Sequence, residues 1–231
     1  MHTFGFDCRG ARSSAAIYRA ESPRCTLVLA HGAGAPRTHP WMVTMAKAIA
    51  THGIDVVTFN FLYSEAKRRA PDKNDALEAT WLAALEAVRA RDDLPTERLF
   101  VGGKSMGGRI ATQVVAKGAH VGGIVLLGYP LHPPGKPDKL RSAHLPDIQV
   151  PMLFVQGERD AFGTPEELAP IVKGLSTGTR LFVVEGGDHS LISRPRRGKA
   201  ADVPSARPKA SAESLDQTLA RVAAEVARFM A

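Results

Sequence analysis

The 231-residue chain contains no apolar run approaching ~18 residues, the length a helix needs to cross a bilayer, so no membrane span is expected. Residues 1–25 hold no continuous apolar segment of the kind a secretory leader requires. There are only two cysteines, Cys8 and Cys25. They could pair with each other, but the reading taken is two reduced thiols in a cytoplasmic protein. Neither is grouped with histidines at metal-ligand spacing, so no metal site and no cofactor is expected. Aromatic residues make up 6% of the chain, and none lies in its most basic stretch. That stretch, Arg194 to Lys209, has six basic residues against one acid and supplies five of the seven excess positive charges. A nucleic-acid groove would spread charge over a folded face and interleave aromatics. Proline and glycine recur here instead, so residues 194–210 read as a flexible, solvated loop and no nucleic-acid partner is expected. No internal repeat or domain boundary is visible, which leaves one domain over 1–231.

Short apolar runs alternate with helical patterns, and this predicts an α/β fold: a mostly parallel sheet with helices on both faces. "TLVLAHGAG" reads as a strand entering a glycine loop, followed by the helix "WMVTMAKAIATHG" ending at Gly53. "DVVTFNF" is the next strand. In "DALEATWLAALEAVRARDD", Asp75 and Glu78 are placed as a cap pair, and Leu77, Trp81, Leu85 and Val88 form one apolar stripe. "RLFVGG", "GGIVLLGYP", "PMLFVQGERD" and "TRLFVVEGGDHS" are further strands. "MGGRIATQVVAKG" and "TPEELAPIVKGL" are helices, the latter with Pro170 inside it. Leu215, Leu219, Val222, Val226 and Phe229 give the C-terminal helix a face for the sheet. The connection from Pro130 to Val150 is too short for a large lid domain.

The segment "VGGKSMGGR" admits two readings. A phosphate-binding loop needs glycine where Arg98 stands, because its backbone must wrap around phosphates, so that pattern fails. Gly103-Lys104-Ser105-Met106-Gly107 also fits G-x-S-x-G, the strand-to-helix turn that exposes a nucleophilic serine. A serine hydroxyl needs a base, and the base needs a carboxylate to fix its tautomer. Ser105, Asp160 and His189 each follow a strand, in the chain order nucleophile, acid, base. Glu158 and Asp188 are the alternative acids, and Asp160 is favoured. The N–H groups of Met106 and Ala33, or otherwise Gly34, are expected to cradle the oxyanion. Gly34, Phe61, Tyr63 and Phe162, in loops leaving the strands, are expected to bind substrate. His31 is expected to brace the glycine loop, and His132 and His144 are read as surface residues.

"LAHGAGAPRTHPWM", "FNFLYSEAKRRAPD", "VGGKSMGGRIA", "FVQGERDAFG" and "GGDHSL" occur in family order over nearly the whole chain. On these segments the chain resembles the α/β-hydrolase superfamily, and more narrowly the small lidless hydrolases related to dienelactone hydrolase and the KANL/Tex-type domain. The resemblance implies Ser105 as nucleophile, Asp160 as acid and His189 as base. Dienelactone hydrolase itself carries cysteine at the turn, so Ser105 departs from it, and a second departure from the resemblance is Leu62, where proline is expected.

The leading expectation is a cytoplasmic serine hydrolase of a small-molecule carboxylic ester or thioester. The alternative is a non-catalytic α/β-hydrolase module that binds a partner. Two basic clusters, Lys67 to Arg69 and Arg194 to Arg197, leave the sheet on its carboxyl edge. Either they flank the pocket and favour an anionic substrate, or they are unrelated solvated loops.

Overall fold

The computed structural model describes residues 1–193 and 214–231. The basic loop expected at 194–210 lies outside the described residues. The described strands form one eight-stranded sheet in the order β1-β2-β4-β3-β5-β6-β7-β8. Its five-strand carboxyl half comprises β3 (Cys25–Ala30), β5 (Leu99–Lys104), β6 (Ile124–Leu127), β7 (Met152–Gly157) and β8 (Arg180–Val184). These are parallel to one another, and β4 (Ile54–Phe59) is parallel to β3.

Side chains alternate across each strand, and the two core layers follow that period of two. Val28, Val101, Ile124, Leu126 and Phe154 face the layer under α3 (Asn74–Arg89) and α4 (Met106–Ala116). Leu27, Leu29, Val125, Leu127 and Val155 face α1 (Pro40–Ala50) and α6 (Leu215–Met230). Both faces are covered, which is why the central strands read as continuous apolar runs. On α3 the stripe Leu77, Trp81, Leu85 and Val88 is wholly buried. Burial of each such side chain is worth roughly 1.5–3 kcal/mol, so this stripe, not helix propensity, holds α3 on the sheet. Helix α5 (Pro165–Lys173) retains Pro170.

The antiparallel hairpin β1 (His2–Cys8) and β2 (Ala11–Tyr18) extends the sheet beyond β4, and no strand is assigned there from the sequence. It turns on Arg9 and Gly10, both at positive φ (50° and 73°), a two-residue turn whose twist suits a hairpin. The expected Asp75–Glu78 cap pair is not formed. Helix α3 starts one residue earlier, with Lys73 at the cap position and no side-chain capping bond. Asp75 instead meets Arg9 at 3.1 Å, and Glu78 accepts from Asn74 at 2.6 Å. The capping boxes lie elsewhere, at Thr164–Glu167 on α5 and Ser214–Gln217 on α6. Arg98, the residue that defeats the phosphate-loop pattern, donates to the carbonyls of Met230 and Ala231 and ties β5 to the end of α6. Between β6 and β7 the chain forms a 3-10 turn, Leu145–Asp147, and no lid domain. Among the described residues no helix is long and apolar enough to cross a membrane.

The centre of the sheet leaves no room beside Gly102, where an added Cβ would lie 2.1 Å from the Val125 carbonyl oxygen. Gly102→Ala is therefore expected to cost on the order of 2–4 kcal/mol in urea unfolding, because backbone must move. Gly174→Ala, with ordinary φ and no atom closer than 3.6 Å, is the matched control and should stay within about 1 kcal/mol. Equal losses in the two variants would contradict this account.

Candidate active site

Ser105 lies between the end of β5 and the start of α4 with φ 51° and ψ −118°. A non-glycine residue held there costs on the order of 1–3 kcal/mol, so its surroundings must enforce it. They do so by close packing. A Cβ on Gly103 would sit 2.5 Å from the backbone of Gly107, and one on Gly107 would sit 2.5 Å from the Ala30 carbonyl oxygen. One on Gly108 would sit 2.7 Å from the Gly103 carbonyl oxygen. Three side chains are missing where β3, β5 and α4 converge, and the turn is pressed outward.

The loop after β8 reaches this turn because two other strand ends also lack side chains. A Cβ at Gly157 would meet the Asp188 carbonyl oxygen at 2.3 Å, and one at Gly128 would meet that of His189 at 2.9 Å. The loop backbone thus lies directly on the sheet edge. Lys104 Nζ donates to the His189 carbonyl and lies 5.8 Å from the Trp41 ring centroid, while Trp41 Nε1 donates to the Ser190 carbonyl at 2.9 Å. Burial lowers the Lys104 pKa to about 8. Asp188, one of the two alternative acids, accepts from the backbone N–H groups of Ser190 (2.8 Å) and Ile192 (3.2 Å) and shapes the same loop. Glu158, the other alternative, accepts from Gly186 N–H at 2.6 Å.

With the loop so held, His189 Nε2 is 2.8 Å from Ser105 Oγ and Nδ1 is 2.7 Å from Asp160 Oδ2. Asp160 is 1% exposed. Its carboxylate also accepts from Gln156 Nε2 (2.9 Å) and from Phe162 N–H (2.8 Å). A carboxylate can only accept, so Nδ1 carries the imidazole proton and Nε2 faces the serine hydroxyl as an acceptor. The structure brings together the three side chains picked from the sequence. Phe162 stacks on the His189 ring at 4.2 Å between centroids and lines the cavity.

A cavity of about 770 Å³ opens in front of Ser105, with Ala33, Trp41, Met106 and Ile192 among its walls. Met106 is the first residue of α4, and its N–H is one of the four that a helix leaves without an internal acceptor. Gly34, expected at the pocket, is an exposed turn residue at φ 75° outside the cavity wall. Phe61 and Tyr63 are also not cavity residues. They are 0% and 1% exposed and form part of the core beneath the loop after β3, because the short helix α2 (Leu62–Glu65) turns them inward. Both pack edge-on against His31. His31 Nε2 accepts from Phe61 N–H at 3.1 Å, and Nδ1 donates to the Gly32 carbonyl at 2.8 Å. His132 is not a surface residue either. It is buried beside Glu167, which Nε2 meets at 3.3 Å. His144 is half-buried with Nε2 2.8 Å from Thr112 Oγ1.

The basic cluster Lys67 to Arg69 is exposed and does not line the cavity, and Arg68 pairs with Asp72 at 2.6 Å. Arg194, Arg196 and Arg197 lie outside the described residues. Gln156, Lys104, Trp41, Arg109 and Arg141 escape the sequence-based selection. A polar residue at the end of an otherwise apolar strand, "MLFVQG", is the one signal that could have pointed to Gln156. Among the described residues no cluster of three His, Cys, Asp or Glu side chains could hold a metal ion.

A mostly parallel sheet with a strained serine turn at its carboxyl edge is the architecture of an α/β-hydrolase. The chain belongs to the alpha/beta hydrolase domain family, which matches residues 23–231. Its fold is similar to an α/β serine hydrolase without a lid from Xanthomonas campestris, at 21% identity and TM-score 0.67, over 82% of this chain and 86% of that one. It is similar to dienelactone hydrolase from Anabaena variabilis at 16% identity and TM-score 0.71, over 99% and 95% of the two chains. Est1E from Butyrivibrio proteoclasticus, solved with ferulic acid, is 13% identical with TM-score 0.74, over 98% and 97%.

The His31 brace carries a pH signature. Burial holds the imidazole neutral and lowers its pKa from 6.5 to about 4. Unfolded chains take up a proton below about pH 6.5 that the folded protein refuses until about pH 4. The stability His31 contributes is complete above the upper value and is lost as pH falls to the lower one, by on the order of 3 kcal/mol. His31→Gln, which cannot titrate, should flatten the fall of unfolding free energy across that window. Parallel pH profiles for the two proteins would exclude His31 as the cause.

Proposed function

We propose that this member of the α/β-hydrolase family is a serine hydrolase that cleaves a small carboxylic ester or thioester through an acyl-enzyme on Ser105. The observation that carries the reading is the continuous chain of two hydrogen bonds from Asp160 through His189 to Ser105, at 2.7 and 2.8 Å. Ser105 Oγ attacks the acyl carbon as its proton passes to His189 Nε2, and the carbonyl electron pair moves onto oxygen. The N–H groups of Met106 and Ala33 are assigned to that oxyanion, each worth about 3 kcal/mol when well placed. Collapse expels the alcohol or thiol, which takes the proton from His189. Water then loses a proton to the same nitrogen, attacks the acyl-serine, and releases acid and free Ser105. Asp160 holds the imidazole tautomer and stabilises the imidazolium throughout. Trp41 and Lys104 keep the base loop seated through its carbonyls. The buried unpaired thiols of Cys8 and Cys25 favour a reducing compartment, the cytoplasm, as the place of action.

A fluorophosphonate probe should label the folded protein on Ser105, located by peptide mapping. Hydrolysis of p-nitrophenyl butyrate should fall about 10⁶-fold in Ser105→Ala and in His189→Ala. Absence of labelling and of turnover, in folded protein beside a reactive control enzyme, would leave the non-catalytic partner-binding module as the better account.

A further inference from the structure

Two guanidinium groups share the cavity with Ser105. Arg109 lies one turn along α4, its N–H bonded to the Ser105 carbonyl at 3.1 Å, and Arg141 enters from the connection between β6 and β7. Arg141 is not on a loose loop. Its N–H donates to the Leu131 carbonyl at 2.8 Å, and its own carbonyl accepts from the buried Tyr129 hydroxyl at 2.6 Å. Both side chains are only partly exposed. Burial lowers the Arg109 pKa, and Arg141 beside it lowers it further.

Among the described residues neither guanidinium forms an ion pair, and the side-chain bond of Arg109 is a long 3.3 Å contact to Asn74 Oδ1. The nearby carboxylates are already engaged, Asp72 by Arg68 and Glu78 by Lys117. Elsewhere on the molecule Arg19 contacts Asp55 and Asp93, and Arg9 contacts Asp75. Two like charges held together in a half-buried wall repel each other, and an anion between them reverses that cost. A planar carboxylate suits the guanidinium fork.

We infer that Arg109 and Arg141 form an anion subsite beside Ser105 that receives a carboxylate carried by the substrate. The inference deepens the serine-hydrolase reading and rests on it for the word substrate. The subsite replaces the exposed Lys67 to Arg69 cluster as the source of any preference for acidic esters. An acidic ester then binds with its carboxylate on the two arginines and its acyl carbon at Ser105.

The test compares each acid with its own methyl ester, so that only the charge changes. Mono-p-nitrophenyl glutarate against its methyl ester places the charge on the acyl side. 4-Acetoxybenzoate against its methyl ester places it on the leaving group. After correction for intrinsic reactivity towards hydroxide, at least one acid should exceed its methyl ester by 10-fold or more in kcat/KM at low ionic strength. That ratio should fall to near one in Arg109→Gln/Arg141→Gln, recover in part in Arg109→Lys/Arg141→Lys, and shrink with added salt. Lys67→Gln, which removes one exposed positive charge away from the cavity, should leave the ratio unchanged. Ratios near one in both arms for the wild type, or a preference that survives in the double glutamine variant, would overturn the inference. If no ester is turned over at all, the hydrolase reading fails separately, and glutarate binding decides the subsite. Glutarate should raise Tm above an ionic-strength-matched chloride control in the wild type but not in the double glutamine variant. An equal response from both proteins would refute it.

Discussion

The backbone of Ser105, at φ 51° and pressed between β3 and α4, is the constraint on which the rest of the site depends. A relaxed residue at that point would let α4 follow β5 gently, and the hydroxyl would be lost among helix side chains. The strain persists because Gly103, Gly107 and Gly108 bring three backbone segments closer than any Cβ allows. Those contacts exist only because β3 and β5 are parallel neighbours in the middle of the sheet. The two buried core layers thus supply the stability, and the glycines direct part of it to one turn.

The same device is used a second time, at lower strain, for the loop that carries His189. Gly128 follows β6 and Gly157 ends β7, and their missing side chains admit the backbone of the loop after β8. Once the loop lies on the sheet edge, its carbonyls become acceptors for Lys104 and Trp41, from the flanks of the serine turn. Gln156 completes the arrangement from below. Its amide accepts from Tyr129 N–H and donates to Asp160 and Gly163, so the acid loop and the end of β6 share one fully buried side chain. A buried polar network of this kind is stabilising only when every member has its partner. The distance from His189 to Ser105 is therefore set by partners spread over β5, β6, β7 and α1, not by the three residues alone.

This division explains what could be read in the sequence. Apolar runs ending in glycine announced the parallel strands, and Ser105, Asp160 and His189 stood out because each combines reactive chemistry with a strand end. Such signals are local. Phe61 and Tyr63 were misjudged because their strand-end position is right while their direction is decided by α2, which turns them beneath His31. The hairpin β1–β2 escaped notice because an edge hairpin with an exposed face has little apolar signature, and its Arg9–Gly10 turn looks like ordinary polar sequence. Arg141 was illegible for a different reason. It lies in a connection without regular structure, and only the bonds from Tyr129 and to Leu131 bring it to the cavity.

Positive charge gives the sharpest example of that limit. The net charge of +7 is a property of composition, densest between Arg194 and Lys209. What gives a charge chemical meaning is whether the fold has already matched it. Arg98 holds the final carbonyls of α6, Arg68 holds Asp72, and Arg19 holds the buried Asp55. Those guanidiniums are satisfied within the protein and offer little to a ligand. Arg109 and Arg141 both line the cavity in front of Ser105, where burial strengthens electrostatics and the positive charge of Arg141 lowers the Arg109 pKa. Among the described residues no carboxylate pairs with either guanidinium, so both charges face the cavity beside the strained turn of Ser105. The number of basic residues in the chain carries no such information, because only three-dimensional pairing separates matched cations from unmatched ones.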